Sequence, residues 1–381
     1  MGDTHVLKSA LLAGGGTAGH VNPLLAVADE LVRTHPGLAV TVLGTREGLE
    51  SDLVPARGYP LSVVPKVPLP RRPSVAWFRL PGRLRAAVRA AGEAIDTSGA
   101  QVVVGFGGYV STPAYLAARR RGVPVVIHEQ NARPGLANRL GARWARSVAV
   151  TFPSTALPGA VVTGLPLRRE VAALVDERAS DAAGSRAAAA ARLGLDPALP
   201  VLVVTGGSLG AQRLNETVSA LAELLTSSGA QVLHLTGRGK SAPVAAAVSA
   251  LPGGLSERYQ VREYLDEMHL AYAVADLVVC RSGAGTVCEL TALGLPAVYV
   301  PLPVGNGEQR LNAAAVVEAG GGLLVADADL TPAWVTAHVV PLLTDPAALS
   351  TMSSAAAGVG VPDAAGAVAA LVERAASEVS R

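Results

Sequence analysis

The chain uses one supersecondary unit twice, and that repetition restricts its fold more than any other feature. Val102-Val103-Val104-Gly105-Phe106-Gly107-Gly108 leads into a helical pattern to Arg121, then Gly122-Val123-Pro124 and an apolar run from Val125 to His128. Leu277-Val278-Val279-Cys280-Arg281-Ser282-Gly283 leads in the same way to Leu293, then Gly294-Leu295-Pro296 and Ala297 to Val300. Strand, glycine turn, helix and second strand make a βαβ crossover, which joins parallel neighbours in a sheet. Each unit has a simpler echo upstream. Ser9 to Ala13 enters Gly14-Gly15-Gly16-Thr17-Ala18-Gly19-His20, a helix around Pro23 to Arg33 and a strand from Ala39 to Leu43. Val201 to Thr205 enters Gly206-Gly207-Ser208-Leu209-Gly210, a helix to about Leu225 and a strand from Gln231 to Leu235. One architecture used twice implies an α/β chain of two Rossmann-like domains facing a central cleft, with ligands at the carboxyl ends of both sheets.

The length of 381 residues agrees, since it exceeds what one hydrophobic core usually organises. Expected divisions are residues 1–164, residues 165–345 and a C-terminal helical segment, 346–381, that packs back toward the first domain. The Ala-rich tract from Asp181 to Ala191 reads as a solvated helix early in the second domain. No apolar stretch runs far enough without charge, Gly or Pro to span a bilayer, and the N-terminus lacks the pattern of a secretory signal, so a cytoplasmic location is expected. Cys280 and Cys288 bracket a glycine turn and match no zinc spacing, which leaves two reduced core thiols. The net charge of +2 hides an asymmetry: residues 1–165 carry +9 and the remainder −7. A basic half faces an anionic surface. No nucleic-acid-binding motif accompanies it, so an anionic membrane or a pyrophosphate substrate is the expected partner, and nucleic acid is not.

Gly14-x-Gly16-x-x-Gly19 satisfies the dinucleotide fingerprint, but Val42-Leu43-Gly44-Thr45 ends the next strand without the acidic residue that would hold a ribose. What remains is a glycine turn opening a helix, whose backbone N–H groups and dipole suit a phosphate or pyrophosphate. Gly15 and Gly16, with Gly107, Gly108, Tyr109 and Ser111 of the echo, are the expected pyrophosphate contacts on the first domain. Gly239-Lys240-Ser241 ends like a P-loop, yet His234 stands where its first glycine belongs. Gly206 to Gly210 and Arg281 to Thr286 offer two further anion-binding turns. Glu289, one helical turn beyond Gly285, is either a ribose-binding carboxylate or an exposed helix acid. Asp327-Ala328-Asp329 is either a metal-binding pair or, the preferred reading, a turn with Asp329 as a cap. His128-Glu129-Gln130-Asn131 ends an apolar strand with four polar residues, which makes Glu129, together with His20, a candidate general base. Between Lys66 and Arg89 the residues Arg71, Arg72, Arg79, Arg83 and Arg85 interleave with Trp77 and Phe78. That segment is either a membrane-surface element or a solvated loop and helix.

These motifs, in this order and spanning nearly the whole chain, closely resemble the peptidoglycan N-acetylglucosaminyltransferases that convert lipid I to lipid II, enzymes of GT-B type fold. The matching pieces are Ala13 to Pro23, Gly107 to Ser111, His128 to Asn131, Gly206 to Ala211, Cys280 to Ala284 with Glu289, and Glu308 to Ala313. The resemblance implies that UDP-N-acetylglucosamine is the donor and lipid I, the undecaprenyl-linked muramyl-pentapeptide, the acceptor. It implies that Ser208 and Arg168 approach the UDP phosphates, that the backbone at Leu265 reads uracil, and that Ala284, Gly285 and Thr286 hold the diphosphate. Glu289 would bind the ribose and Gln309 a sugar hydroxyl. Thr17, Ala18, Gly19 and Asn131 would reach the sugar from the first domain, with His20 in or beside the acceptor site. The chemistry implied is inverting, with no metal and no cofactor, on the cytoplasmic side of the membrane as a peripheral protein. Two departures stand out: Leu165-Pro166-Leu167 precedes Arg168 where some relatives carry Asn-Pro, and Glu308 replaces the first of two adjacent glutamines. A small-molecule glycosyltransferase or a UDP-sugar epimerase of the same fold is the rival enzyme. A non-catalytic membrane recruiter is the rival of another class, and it would need only one glycine-rich domain.

Overall fold

The computed structural model describes residues 7–67, 76–207 and 211–378, with residues 76–79 described in backbone only. The chain forms two compact units, one of residues 1–168 with 363–381 and one of residues 169–362.

In the first unit seven strands are all parallel: β1 (Ser9–Ala13), β2 (Ala39–Gly44), β3 (Leu61–Val63), β4 (Val102–Gly105), β5 (Val125–Glu129), β6 (Ser147–Val150) and β7 (Ala160–Val162). Their order is β3-β2-β1-β4-β5-β6-β7, so the sheet reverses direction between β1 and β4. Every residue of β1, β4 and β5 is buried, because helices cover both faces. Ala10 and Leu12 join a core cluster with Leu24, Val27 and Leu31 of the helix Ala18–Thr34. Leu11 and Ala13 point the other way, toward Val88, Ala91 and Ile95 of the helix Ala76–Ser98 and Tyr115 of the helix Ser111–Arg121. That period of two is the pleat of a strand buried on both sides.

The second unit repeats the plan with β8 (Val201–Thr205), β9 (Gln231–Leu235), β10 (Tyr259–Arg262), β11 (Leu277–Cys280), β12 (Ala297–Tyr299) and β13 (Gly322–Leu324), again all parallel. The order β10-β9-β8-β11-β12-β13 puts the reversal between β8 and β11.

Several elements differ from their expected form. The first helix starts at Ala18 rather than near Pro23, which brings His20 into its first turn. The tract around Asp181 lies in the helix Arg169–Leu193, which kinks at Asp181. One face of it is buried through Ala189, Ala190 and Leu193, and Arg186 clamps it to the sheet with two bonds to Asp276 and others to the carbonyls of Pro197, Leu199 and Val274. The segment 346–381 divides: the helix Pro346–Val359 belongs to the second unit, and the helix Ala364–Ser377 packs on the first, where Val368, Leu371 and Val372 enter its core. Together these helices form the one helical stretch of the described residues that is long and apolar enough by composition to cross a membrane, with an 18-residue window of mean hydropathy 1.6. Gly360 to Pro362 break it into two helices of 14 residues. At 1.5 Å per residue each reaches roughly 21 Å, short of the roughly 30 Å hydrocarbon core of a bilayer.

Candidate active site

The reversal point of each sheet is where a doubly wound fold opens a crevice beyond its strand ends. In the first unit the turns after β1 and β4 meet there. A Cβ on Gly108 would stand 2.6 Å from the Gly15 carbonyl oxygen, and Gly107 and Gly108 both take left-handed backbone angles, with φ of 91° and 81°. Side chains at these two positions would hold the turns apart. Ser111 is fully buried, and its hydroxyl lies 2.7 Å from the Gly107 carbonyl and 3.1 Å from that of Ala13. Its position therefore ties the β1 and β4 turns together rather than presenting the hydroxyl to a ligand. Tyr109 is exposed, with the Lys66 ammonium 5.8 Å from its ring centroid.

Gly16 to Gly19 are exposed at the start of the first helix. Thr17 Oγ1 lies 3.0 Å from His20 Nδ1, while His20 Nε2 sits beside Gly107. Burial pushes the His20 pKa below the ordinary histidine value, against the opposing pull of Glu129, the Gly15 backbone and Glu50. The ring is therefore neutral near pH 7, which is the form able to accept a proton. Glu129, the last residue of β5, is buried and accepts three hydrogen bonds: Asn131 N–H at 3.0 Å, Gly135 N–H at 2.9 Å and Asn138 Nδ2 at 2.9 Å. Asn138 in turn accepts from the Tyr115 hydroxyl at 2.7 Å. Three donors converging on one carboxylate hold the Glu129 side chain in a single orientation. His128 faces away from this cluster: its Nε2 lies 2.9 Å from the Gly164 carbonyl and its Nδ1 3.1 Å from the Gln130 amide.

Sequence reasoning missed Glu50. It opens the helix Glu50–Ala56, is fully buried, and accepts from Gly16 N–H at 2.8 Å, Thr45 N–H at 2.9 Å and the Thr45 hydroxyl at 2.8 Å. Burial opposes its ionisation, but these donors outweigh burial and hold it below the usual carboxylate range. The Gly16 amide, expected at a pyrophosphate, is thus directed at Glu50. The one local signal was the pair Gly44 and Gly48, at both of which a Cβ would overlap the Glu50 side chain.

In the second unit the turns after β8 and β11 flank the reversal point. Gly207 has φ of 77° and open space where a side chain would be, and its N–H donates to Thr205 Oγ1 at 3.2 Å. Ser208 lies outside the described residues. Gly283 caps the helix Ala284–Ala292 in extended conformation without a side-chain bond, and Cβ atoms at Gly283 or Gly285 would meet nothing within 4 Å. The start of this helix, where first-turn amides lack intrahelical acceptors, therefore has room beside Gly283 and Gly285 for a ligand, as an anion site requires. Glu289, on the same helix, is only 7% exposed, and Tyr272 donates its hydroxyl to Oε2 at 3.0 Å. The exposed-acid reading of Glu289 is overturned. Gln309, on the helix Glu308–Asn312, accepts from Leu302 N–H at 2.9 Å, which leaves its amide NH2 to donate elsewhere. Asn312 from the same helix donates to the Ser282 carbonyl at 3.3 Å, linking it to the turn after β11. Leu265 is half-buried in the segment leading to the helix Met268–Val274, which carries Tyr272. Arg168 is half-buried immediately before the helix Arg169–Leu193.

Asp327 is paired with Arg281 Nη2 at 2.6 Å and Arg213 Nε at 3.2 Å, so its carboxylate already has two cations. Asp327–Asp329 form a short 3-10 turn, and Thr331, not Asp329, caps the helix that follows, accepting from Trp334 N–H at 3.2 Å. Of the basic segment, Arg71 and Arg72 lie outside the described residues, and Trp77, Phe78 and Arg79 are known in backbone only. Arg83 and Arg85 are exposed on the helix Ala76–Ser98.

Two doubly wound units, one with a roomy glycine-rich helix start and a buried carboxylate on the same helix, are the architecture of GT-B type, nucleotide-sugar-dependent enzymes. The glycosyltransferase family 28 N-terminal domain matches residues 10–150 and the family 28 C-terminal domain residues 201–368. The chain is 60% identical over 373 residues to the UDP-N-acetylglucosamine–N-acetylmuramyl-(pentapeptide) pyrophosphoryl-undecaprenol N-acetylglucosamine transferase of Clavibacter sepedonicus, covering 97% of this chain and 98% of that protein. The crystal structure of Acinetobacter baumannii MurG superposes with a TM-score of 0.76 at 28% identity, covering 96% of this chain and 99% of that one. The chain belongs to the MurG family within glycosyltransferase family 28. A UDP-GlcNAc 2-epimerase from Neisseria meningitidis, bound to UDP-GlcNAc, shares the fold at a TM-score of 0.69 but only 14% identity.

Proposed function

We propose that this chain transfers N-acetylglucosamine from UDP-N-acetylglucosamine to lipid I, giving lipid II for peptidoglycan. The observation that carries this reading is the 60% identity, over nearly the full length of both chains, to a relative named for that transfer. The epimerase reading has only a shared fold behind it. On the donor side, Glu289 takes the ribose hydroxyls, the amides of Ala284, Gly285 and Thr286 face the diphosphate, and Ser208 and Arg168 add to its neutralisation. Leu265 reads uracil through its backbone, and the Gln309 amide donates to a sugar hydroxyl. On the acceptor side, Thr17, Ala18, Gly19 and Asn131 reach the transferred sugar, and Gly107, Gly108 and Tyr109 lie against the acceptor.

The reaction is written as a single displacement. The muramyl 4-hydroxyl oxygen forms a bond to the anomeric carbon, the bond from that carbon to the UDP oxygen breaks with inversion, and the hydroxyl proton goes to a base. Neutral His20 is that base in our scheme, with Glu129 fixing the charge beside it. Departing UDP gains negative charge where the helix Ala284–Ala292 begins, so helix amides and dipole supply the stabilisation that a cation supplies elsewhere. The protein reaches its acceptor as a peripheral protein on the cytoplasmic, anionic face of the membrane.

The test is transfer of radiolabel from UDP-N-acetylglucosamine to lipid I, with and without EDTA. Label should enter a butanol-extractable lipid equally in both. Labelled lipid absent under both conditions would overturn the transfer itself. Activity lost in chelator and restored by Mg²⁺ would overturn the metal-free scheme alone.

A further inference from the structure

Three carboxylates are buried among the described residues, Glu50, Glu129 and Glu289, and only Glu50 has no part in the scheme above. Burying a carboxylate is expensive unless it is fully hydrogen-bonded. This chain meets that requirement with backbone and with glycine. Both oxygens of Glu50 are engaged, Oε2 by Gly16 N–H at 2.8 Å and Oε1 by Thr45 N–H and hydroxyl at 2.9 and 2.8 Å. Cβ atoms at Gly15, Gly44 or Gly48 would all overlap its side chain. Three glycines from two separate turns thus make room for one acid.

The place of this acid matters more than its contribution to stability. Gly16 has φ of 87° and lies two residues before the first helix, whose start carries Thr17 and His20. Gly108 also packs closely against Gly15. The turn is therefore held by both Glu50 and Gly108, and a shift of Gly16 would move Thr17 and His20 with it. The Gly16 N–H, which in an open glycine turn would face an anionic ligand, is also taken, and by a carboxylate that repels one.

We propose that Glu50 is a positioning residue for the acceptor: it fixes the Gly14-to-Thr17 turn, sets Thr17 and His20 toward the acceptor hydroxyl, and keeps the acceptor pyrophosphate off Gly16. This rests on the transfer reading above. Glu50→Gln keeps the shape, but its NH2 must face one of the N–H donors, which leaves that buried donor unsatisfied. Displacing a reacting group by about 1 Å costs up to about a hundredfold in rate. In the full-length protein, Glu50→Gln should therefore lower kcat/KM for lipid I by about ten- to a hundredfold, with the affinity for free UDP, which lacks the sugar that Thr17 reaches, unchanged. Thr45→Val removes one donor and leaves the carboxylate in place. It should act in the same direction to a smaller extent, and it decides the matter should Glu50→Gln fail to fold. A parent protein that labels no lipid would overturn the transfer reading. With an active parent, wild-type lipid I kinetics in the folded variants, or a weakened affinity for free UDP, would overturn the positioning role alone.

Discussion

Glu289 sits in the second turn of a helix whose first turn borders open space, and Tyr272 bonds one of its oxygens from a neighbouring helix. That leaves the carboxylate oriented, with further acceptor capacity for the two hydroxyls of a ribose. A hydrogen bond to a charged group is worth roughly 1.5 to 3 kcal/mol, so Glu289→Ala should weaken UDP binding by about ten- to a hundredfold. Titration calorimetry with UDP measures this directly, and an unchanged dissociation constant would remove Glu289 from the ribose site. The residue was visible in the sequence as an acid one turn after a glycine-rich helix start. Its burial was not, because Tyr272 is 17 residues away and nothing local marks the pair. Glu50 was hidden for the same reason: its partner Gly16 is 34 residues upstream, and the bond runs through a backbone amide that every residue type shares.

Elements were easier to see than their companions. The strands Val102–Gly105 and Leu277–Cys280 read as unbroken apolar runs because helices bury both of their faces, and the glycine turns after them punctuate that run. The helix Ala76–Ser98 shows what pattern alone leaves open. Its buried residues Val88, Ala91, Ala94 and Ile95 lie against the first sheet, whereas Arg83, Arg85 and Arg89 are exposed. The apolar face is already occupied, so any membrane contact falls to the arginines and to the start of the helix. Each arginine near an anionic leaflet contributes about 1 kcal/mol. Replacing Arg79, Arg83 and Arg85 with Glu should release the protein from phosphatidylglycerol vesicles in a sedimentation assay while leaving UDP binding intact. Sedimentation equal to the parent's would place the membrane face elsewhere.

For the molecule as a whole, two buried histidines set an acid limit. His128 in the first unit and His234 in the second are each pushed down to about 4 by burial. In His234, Nε2 lies 3.0 Å from Asn215 Oδ1 and Nδ1 2.7 Å from the Tyr259 hydroxyl, a network that suits a neutral ring. The unfolded chain binds a proton near pH 6.5, and the folded chain refuses it until about pH 4. Stability from these rings is therefore complete above about pH 6.5 and falls as pH drops toward 4, by about 3 kcal/mol for each histidine. Urea midpoints should decline steeply between about pH 7 and about pH 5. Midpoints that stay level over that range would show that the rings are protonated in the folded state.

The last helix of the described chain, Ala364–Ser377, completes the core of the first unit, although 194 residues separate Arg168 from Asp363. A growing polypeptide therefore cannot finish its first domain until its second has been synthesised. At roughly 5 to 20 residues per second that interval lasts on the order of 10 to 40 seconds. Throughout it, the surface that Val368, Leu371 and Val372 later cover stands open, with Leu24, Val102 and Phe106 among the core residues beneath. The nascent chain thus carries an unsealed apolar face for the time it takes to build the donor domain, and early release from the ribosome leaves that face without its cover.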